Sequence, residues 1–327
     1  MGTLEMDKTA QLVAESAYPR LDQFLAARLE GLSRTRIQTL IKSGSVKIDG
    51  EAVFKARESL SGGERIQVEI PVAAIADHLE PEDIPLDVLH EDEQIIVLNK
   101  PAGLVIHPGS GNRQGTLVNA LIGRYQRLSK LSGRLRPGIV HRLDKNTSGV
   151  MVVARTEEAH VHLARQFERR EVQKTYLALV WGTPPESGKV EANLVRDPHN
   201  RLLFRTSQAQ GRAAITAFSS LEYFNGFTLL QVRPRTGRTH QIRVHLAYSG
   251  YPIFNDRSYH GVRTAAGIAP DLREMVNQLR RTIDRQALHA STLTFVHPAS
   301  QEMMTFEAPL ADDFQAALGR LRQASSD

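Results

Sequence analysis

A polar, charged turn, His141-Arg142-Leu143-Asp144-Lys145-Asn146-Thr147-Ser148-Gly149, stands between Gly138-Ile139-Val140 and the apolar run Val150-Met151-Val152-Val153-Ala154. Both flanks read as short strands. Polar groups this dense are poor core material, because each one buried without a partner costs free energy. The turn therefore belongs either to a functional site or to an ordinary surface loop, since Asp, Asn, Ser and Gly are also common turn formers. Around it, strand and helix patterns follow one another without regular alternation. That mixture predicts an α+β fold rather than a parallel doubly wound sheet.

Composition narrows the class. The 327 residues suffice for two domains and a sizeable core, and an apolar fraction of 41% with 24% charged residues is that of a globular protein. A net charge of +5 permits an anionic partner without demanding one. Without Cys the chain forms no disulfide and does no thiolate chemistry. No apolar run is long enough to span a bilayer and no basic-then-apolar leader follows Met1, so no membrane partner and a cytoplasmic location are the expectation.

Residues up to about Ala17 lack periodicity and end at Tyr18-Pro19, which predicts a mobile tail over 1–17. From Arg20 the pattern turns helical, with Leu21, Phe24, Leu25, Leu29 and Leu32 on one stripe. Ser33 reads as the N-cap of a second helix that carries Ile37, Leu40 and Ile41 and stops at Gly44. Val46-Lys47-Ile48, the turn pair Asp49-Gly50 and a strand from Ile66 to Ile70 complete a small α/β module over 18–80. Its polar face carries Arg34, Arg36, Lys42 and Lys47, where a phosphate backbone could lie, although a merely solvated basic face has the same pattern. The stretches RLDQFLA (20–26) and SRTRIQTLIKSGSVKIDG (33–50) resemble the alpha-L RNA-binding motif. That resemblance implies contact with structured RNA, mostly through phosphates, which position a protein without reading sequence.

Pro71 to Pro85 is acidic, proline-containing and unpatterned, and reads as a linker to a larger domain over 85–327. There, Glu93 to Asn99 reads as a buried strand. The loop from His107 to Gly115 contains Gly109, Gly111 and Gly115, but a dinucleotide loop needs Gly-x-Gly-x-x-Gly between strand and helix, and the third spacing is wrong. The pattern then predicts a helix over Glu157 to Arg169, a strand over Lys174 to Trp181, and strands near Ala214 to Leu221 and Thr228 to Arg233. A short helix carrying Ile242 and Leu246 follows, ended by Gly250, then a helix from Asp271 to about Gln286. Strands Leu288 to Val296 and Met303 to Glu307 and a closing helix from Asp312 complete the chain.

Several chemistries fit poorly. His240 and His245 are five apart, not four, so they do not share a helix face, and no HExxH pairing or Cys joins them in a metal site. No Gly-x-Ser-x-Gly elbow supports a serine hydrolase, and no acid-rich cluster suggests a two-metal nuclease. Tyr176 on its strand reads locally as a core aromatic.

What remains is an Asp in a turn, a Tyr on a strand and an Arg-rich segment downstream. HRLDKNTSG (141–149), KTYLALVWG (174–182) and TGRTHQIRVHL (236–246) resemble successive motifs of the RluA/RluD-type pseudouridine synthases. Asn99-Lys100-Pro101 and HPGSGNRQGTLVNAL (107–121) resemble that family's leading segments, and the similarity runs from about Pro85 to the C-terminus. With the N-terminal module and HPGSGN it is closest to the RluD branch.

The resemblance implies the pseudouridine synthase fold, with a mixed, mainly antiparallel sheet. It makes Asp144 the essential catalytic aspartate, Tyr176 the residue against the target base and a proposed proton acceptor, and Arg243 the basic partner of the aspartate. Arg142 matches an arginine that fills the space left by the departing uridine. The reaction breaks the bond from ribose to the base nitrogen, turns the uracil and rejoins it through carbon five without redox change, so neither cofactor nor metal is expected. Flipping the nucleotide out of its stack costs a few kcal/mol, which an inserted Arg142 would partly offset. Asp144 must be ionised, a form that a neighbouring guanidinium favours. The implied partner is large-subunit ribosomal RNA or an assembling ribosomal subunit. Two alternatives stand beside it: the same chemistry on transfer RNA, and a non-catalytic RNA-binding assembly factor, against which the joint presence of Asp144, Tyr176 and Arg243 argues. Asn255-Asp256 stands where related sequences usually have Gly-Asp, which predicts a slightly different backbone there.

Overall fold

The computed structural model describes residues 8–29, 32, 34–70, 79–108, 114–133 and 135–325, with residues 8, 35 and 36 described by backbone alone. Backbone contacts divide the chain into two units, Met1–His78 and Leu79–Asp327.

The first unit runs β1 (Lys8–Val13), α1 (Leu21–Arg28), α2 (Arg34–Lys42), β2 (Val46–Ile48), β3 (Glu51–Ala52) and β4 (Arg65–Ile70), with the strands in the order β1-β4-β2-β3. Of the tail expected over 1–17, residues 1–7 lie outside the described residues, and Lys8–Val13 is instead a strand: it pairs antiparallel with β4 from Lys8↔Ile70 to Val13↔Arg65. Its signal is a period of two, with Ala10, Leu12 and Ala14 turned inward against exposed Thr9, Gln11 and Val13. The pattern is short and its residues small, so it does not stand out in sequence. Leu21, Phe24, Leu25, Ile37, Ile41, Val46 and Val68 form the unit's core, all fully buried. The expected cap at Ser33 and positions 71–78 of the expected linker lie outside the described residues.

The second unit runs β5 (Asp87–Glu91), β6 (Ile95–Lys100), α3 (Leu117–Arg124), β7 (Ser148–Ala154), α4 (Glu157–Arg169), β8 (Gln173–Trp181), β9 (Ser187–Arg196), β10 (Phe204–Ser207), β11 (Arg212–Phe224), β12 (Phe227–Pro234), α5 (Gln241–Tyr248), α6 (Arg273–Thr282), β13 (Leu288–Val296), β14 (Met303–Glu307) and α7 (Asp312–Ala324). Its strands make one sheet in the order β10-β9-β11-β12-β8-β13-β7-β6-β5, with β14 paired to β13. Every pairing is antiparallel except β13 with β7. The architecture is the α+β class with a mixed, mainly antiparallel sheet.

All residues of β7 are buried, as expected of an apolar run in mid-sheet. α4 starts where its sequence says it should: the Thr156 side chain accepts from the Ala159 N–H, and Glu157 and Glu158 occupy the first turn, where the helix dipole favours negative charge. Trp181, Phe227, Phe254 and Phe314 centre one apolar cluster. Ile95 to Leu98, Val150 to Ala154, Leu117 and Leu121 centre another, and Tyr176 packs against both.

Three local expectations change. Residues 79–85 do not span open space: Asn119 Nδ2 donates to the Glu80 carbonyl at 2.7 Å and the Glu82 carboxylate accepts from the Gly115 N–H at 2.9 Å, fixing this stretch on α3. The helix expected over Asp271 to Gln286 is a 3₁₀ turn at Pro270–Leu272 followed by α6, and it ends at Thr282 because Ile283 is extended (φ −132°). Leaving the helix early frees Arg285 and Gln286 to reach the polar turn. Asn255 is left-handed (φ 58°), so it adopts the conformation a glycine would, and its Nδ2 donates to the Ile283 carbonyl at 2.9 Å.

Candidate active site

The turn over residues 141–147 is held by charges buried behind it. Lys100 is fully buried, and its Nζ donates to the carbonyls of Pro101, Leu104 and Lys145 at 2.7, 3.0 and 3.0 Å. Three acceptors use all three ammonium hydrogens. Burial, then the nearby Arg285 charge, pushes this ammonium down to about 7, while Asp144 pulls the other way. Arg285 grips Asp313 through two hydrogen bonds of 2.7 Å and also donates to the Asn146 carbonyl at 3.1 Å, Ser148 Oγ at 3.2 Å and the Gln286 and Leu288 carbonyls at 3.3 Å. His141 closes the front: Nε2 accepts from the Val152 N–H at 3.0 Å, and the ring stacks on Phe167 at 4.6 Å. Burial, with a smaller effect from the Lys174 charge, pushes its pKa down to about 3, so the ring stays neutral.

Asp144 leaves this turn and meets α5. Arg243 Nη1 donates to Asp144 Oδ2 at 3.0 Å. The same guanidinium holds Asp256 bidentately, Nε to Oδ2 at 2.6 Å and Nη2 to Oδ1 at 2.8 Å. Asp256 is fully shielded, while the Asp144 side chain keeps 16% of its surface open. Burial weakens the guanidinium charge, but hydrogen bonds and charge from Asp256, then Asp144, outweigh it and raise the Arg243 pKa. Gln241 sets the start of the helix: its Oε1 accepts from Thr236 Oγ1 at 2.6 Å and the Arg238 N–H at 3.1 Å, and its Nε2 donates to the Ile215 carbonyl at 2.9 Å.

A pocket of about 430 Å³ opens over Asp144, within the usual range of roughly 300–1,000 Å³ for small-molecule sites. Asp144, Tyr176, Arg243 and Arg142 all line it, so the residues singled out from the two motifs and the strand meet at one place. The Tyr176 hydroxyl makes no hydrogen bond to a described residue, and burial, with the charge of Asp144, pushes it above the usual range. Arg142 is exposed on the wall and makes no ion pair among the described residues. Lys174 shares that wall, its ammonium pushed down by burial.

The basic residues of the first unit are more engaged than their spacing suggests. Arg34 Nε pairs with the buried carboxylate of Asp22 at 3.1 Å, and Lys47 pairs with Glu69 at 2.7 Å. Asp22 also takes two hydrogen bonds from Arg20 and one from Gln38, and its pKa is lowered, chiefly by Arg20. Lys42 is exposed and free of ion pairs among the described residues, and the Arg36 side chain lies outside them. His240 and His245 diverge as their spacing requires: His240 lines the pocket, whereas His245 is fully buried with Nδ1 3.0 Å from Thr216 Oγ1.

Sequence reasoning left three parts of this arrangement without a role. Asp256 drew notice only for its neighbour Asn255, Lys100 only as part of Asn-Lys-Pro, and Arg285 not at all. Each is a buried charge that meets a partner from another segment: Lys145 for Lys100, Arg243 for Asp256 and Asp313 for Arg285.

Comparison with known proteins gives the class. Residues 94–248 match the model of the RNA pseudouridylate synthase family, and residues 19–66 match the S4 domain. The chain is 45% identical over 307 residues to a protein of Xanthomonas campestris pv. campestris named ribosomal large subunit pseudouridine synthase D, covering 94% of this chain and 90% of that one. A protein of the same name from Haemophilus ducreyi is 39% identical, covering 98% and 96%. Among solved structures, human RNA pseudouridylate synthase domain containing 4 superposes with a TM-score of 0.56 at 27% identity, over 72% of this chain and 93% of that one. The chain belongs to the RNA pseudouridylate synthase family. It is an isomerase that converts uridine in RNA to pseudouridine, and it carries an S4 RNA-binding domain.

Proposed function

We propose that the substrate is large-subunit ribosomal RNA, free or in an assembling subunit in the cytoplasm, with Asp144 as the essential group. The observation that carries the mechanism is the Asp144–Arg243 pair at 3.0 Å in the wall of a pocket that Tyr176 also lines. The target is supported by the name shared by full-length relatives. Arg243 fixes one oxygen of Asp144, so the carboxylate is ready to engage the nucleotide without reorganising. Tyr176 is a neutral phenol at rest, which suits contact with the face of a base. Accepting a proton would require its own hydrogen to leave at the same time. Arg142, exposed and without an ion pair among the described residues, takes the space the base vacates. Residues 18–80 act as the RNA-binding domain, with Arg34, Arg36, Lys42 and Lys47 toward phosphates, and residues 85–327 as the catalytic domain.

Tritium release from RNA labelled at carbon five of uridine tests the chemistry: Asp144→Asn should abolish release while RNA binding persists, and normal release would remove the mechanism. Mapping pseudouridines in cells with and without the protein tests the target. Loss of sites in large-subunit RNA supports the reading, and loss confined to transfer RNA overturns it.

A further inference from the structure

Arg243 engages Oδ2 of Asp144, and Oδ1 has no hydrogen-bond partner among the described residues. His240 faces that oxygen, with its Nε2 3.9 Å from Oδ1. His240 is the N-cap of α5, yet it makes no side-chain capping bond and sits in the left-handed region (φ 57°, ψ 16°). A left-handed conformation costs an L-residue roughly 1–2 kcal/mol, and such positions gather at functional sites. Here it aims the ring at Asp144 rather than at the helix end.

The other ring nitrogen is fixed. His240 Nδ1 is 2.7 Å from Tyr259 Oη, and Oη accepts from the Phe204 N–H at 3.0 Å. Tyr259 is 6% exposed, and among the described residues its hydroxyl hydrogen has no other acceptor within reach. The hydroxyl therefore donates to Nδ1. In a neutral imidazole that leaves the hydrogen on Nε2. Burial lowers the pKa of His240; Asp144 and Asp256 oppose this, and Arg243 and Arg142 add to it. Phe204 stands edge-on to the ring at 5.9 Å.

We propose that His240 is a positioning residue for Asp144, its tautomer set by Tyr259, so that Nε2–H steers the carboxylate oxygen that Arg243 leaves open. The inference rests on the reading of Asp144 as the reacting group. Whether Asp144 engages the sugar, the base or a ribose proton, Oδ1 is the oxygen available. A donor beside it fixes the rotation of the carboxylate without adding a second positive charge. The 3.9 Å gap closes to a hydrogen bond when the nucleotide fills the pocket, as catalytic contacts that are long in the empty enzyme do.

The test is turnover on an RNA substrate under saturating and subsaturating conditions. His240→Ala should lower kcat by about 10- to 100-fold, the cost of a misplaced reacting group, with KM within about twofold. His240→Gln, which keeps an N–H donor of similar reach, should recover most of that loss. Tyr259→Phe removes the bond to Nδ1, so the ring protonates more readily and the acid limb of the kcat profile should move to higher pH. The shift should vanish in the Tyr259→Phe/His240→Gln double variant. Equal losses in His240→Ala and His240→Gln, an unaffected kcat in His240→Ala, or a fixed acid limb would each overturn the assignment. If His240→Ala does not fold by thermal melt, the Gln and Phe variants decide. Asp144→Asn, run alongside, separates the layers: full turnover there sinks the reading of the site, whereas an inactive Asp144→Asn with a normal His240→Ala sinks only the role of His240.

Discussion

Arg243 gives Asp144 one hydrogen bond and spends its other two on Asp256, so the second aspartate anchors the guanidinium and the first meets its remaining face. The geometry divides two carboxylates on one guanidinium by burial, fully shielded for Asp256 and partly open for Asp144.

Asp256→Asn should therefore damage both stability and turnover, although it never touches the pocket. Removing one partner of a buried ion pair costs about 3–5 kcal/mol. The Asn keeps one acceptor and should fall at the lower end. Urea unfolding and turnover measured together check this. A variant with unchanged stability and kcat would show that Asp144 alone holds the arginine.

Gly149 is fixed by a close approach. It has φ 118°, and a Cβ there would stand 2.1 Å from the Ala290 carbonyl oxygen on the parallel seam between β7 and β13. Gly149→Ala should separate the strands and yield little folded protein. Gly103→Ala, also left-handed (φ 86°) but with nothing within 4 Å, should cost only the conformational penalty of roughly 1–2 kcal/mol. Soluble yield and melting temperature of the two variants make the comparison, and equal effects would count against the packing argument.

How far the sequence carried these conclusions depended on the range of each signal. α4 and β13 follow from local periodicity and caps, and their limits agree with the expected ones. β9 and β10 were not foreseen, because their burial alternates irregularly and they pair near the edge of the sheet. At the site, the resemblance to the family's motifs singles out Asp144, Tyr176 and Arg243, which line one pocket. Periodicity cannot show that Lys100 and Arg285 brace the turn, since both stand in segments that read as a strand end and a helix tail. Only the tertiary structure shows which carbonyls they meet.

Acid should loosen the second unit through its neutral histidines. His141 has a folded pKa of about 3 against an ordinary value of 6.5, and burial also lowers His245 and His289. Below pH 6.5 the unfolded chain binds protons at these sites more readily than the folded one, so their contribution is present above 6.5 and is lost as pH falls, toward about 3 for His141. The melting temperature should fall steadily from pH 7 to pH 5. His141→Gln, whose Oε1 can accept the Val152 N–H without titrating, should flatten that slope. An equally steep slope in the variant would remove His141 from the explanation.

Arg142 offers the cleanest separation of binding from folding. Its guanidinium is exposed and makes no ion pair among the described residues, so Arg142→Ala should leave the melting temperature within about 0.5 kcal/mol equivalent of the parent, as surface changes do. Its effect should instead depend on the substrate. Where the target uridine is stacked, the wedge offsets part of an unstacking cost of a few kcal/mol, and the variant should lose turnover steeply. Where the uridine is already unstacked, as in a short flexible loop, there is less to offset and the loss should be small. Turnover on a stacked and an unpaired substrate of the same local sequence makes the test. A loss of the same size on both would mean that Arg142 holds phosphate rather than the vacated stack.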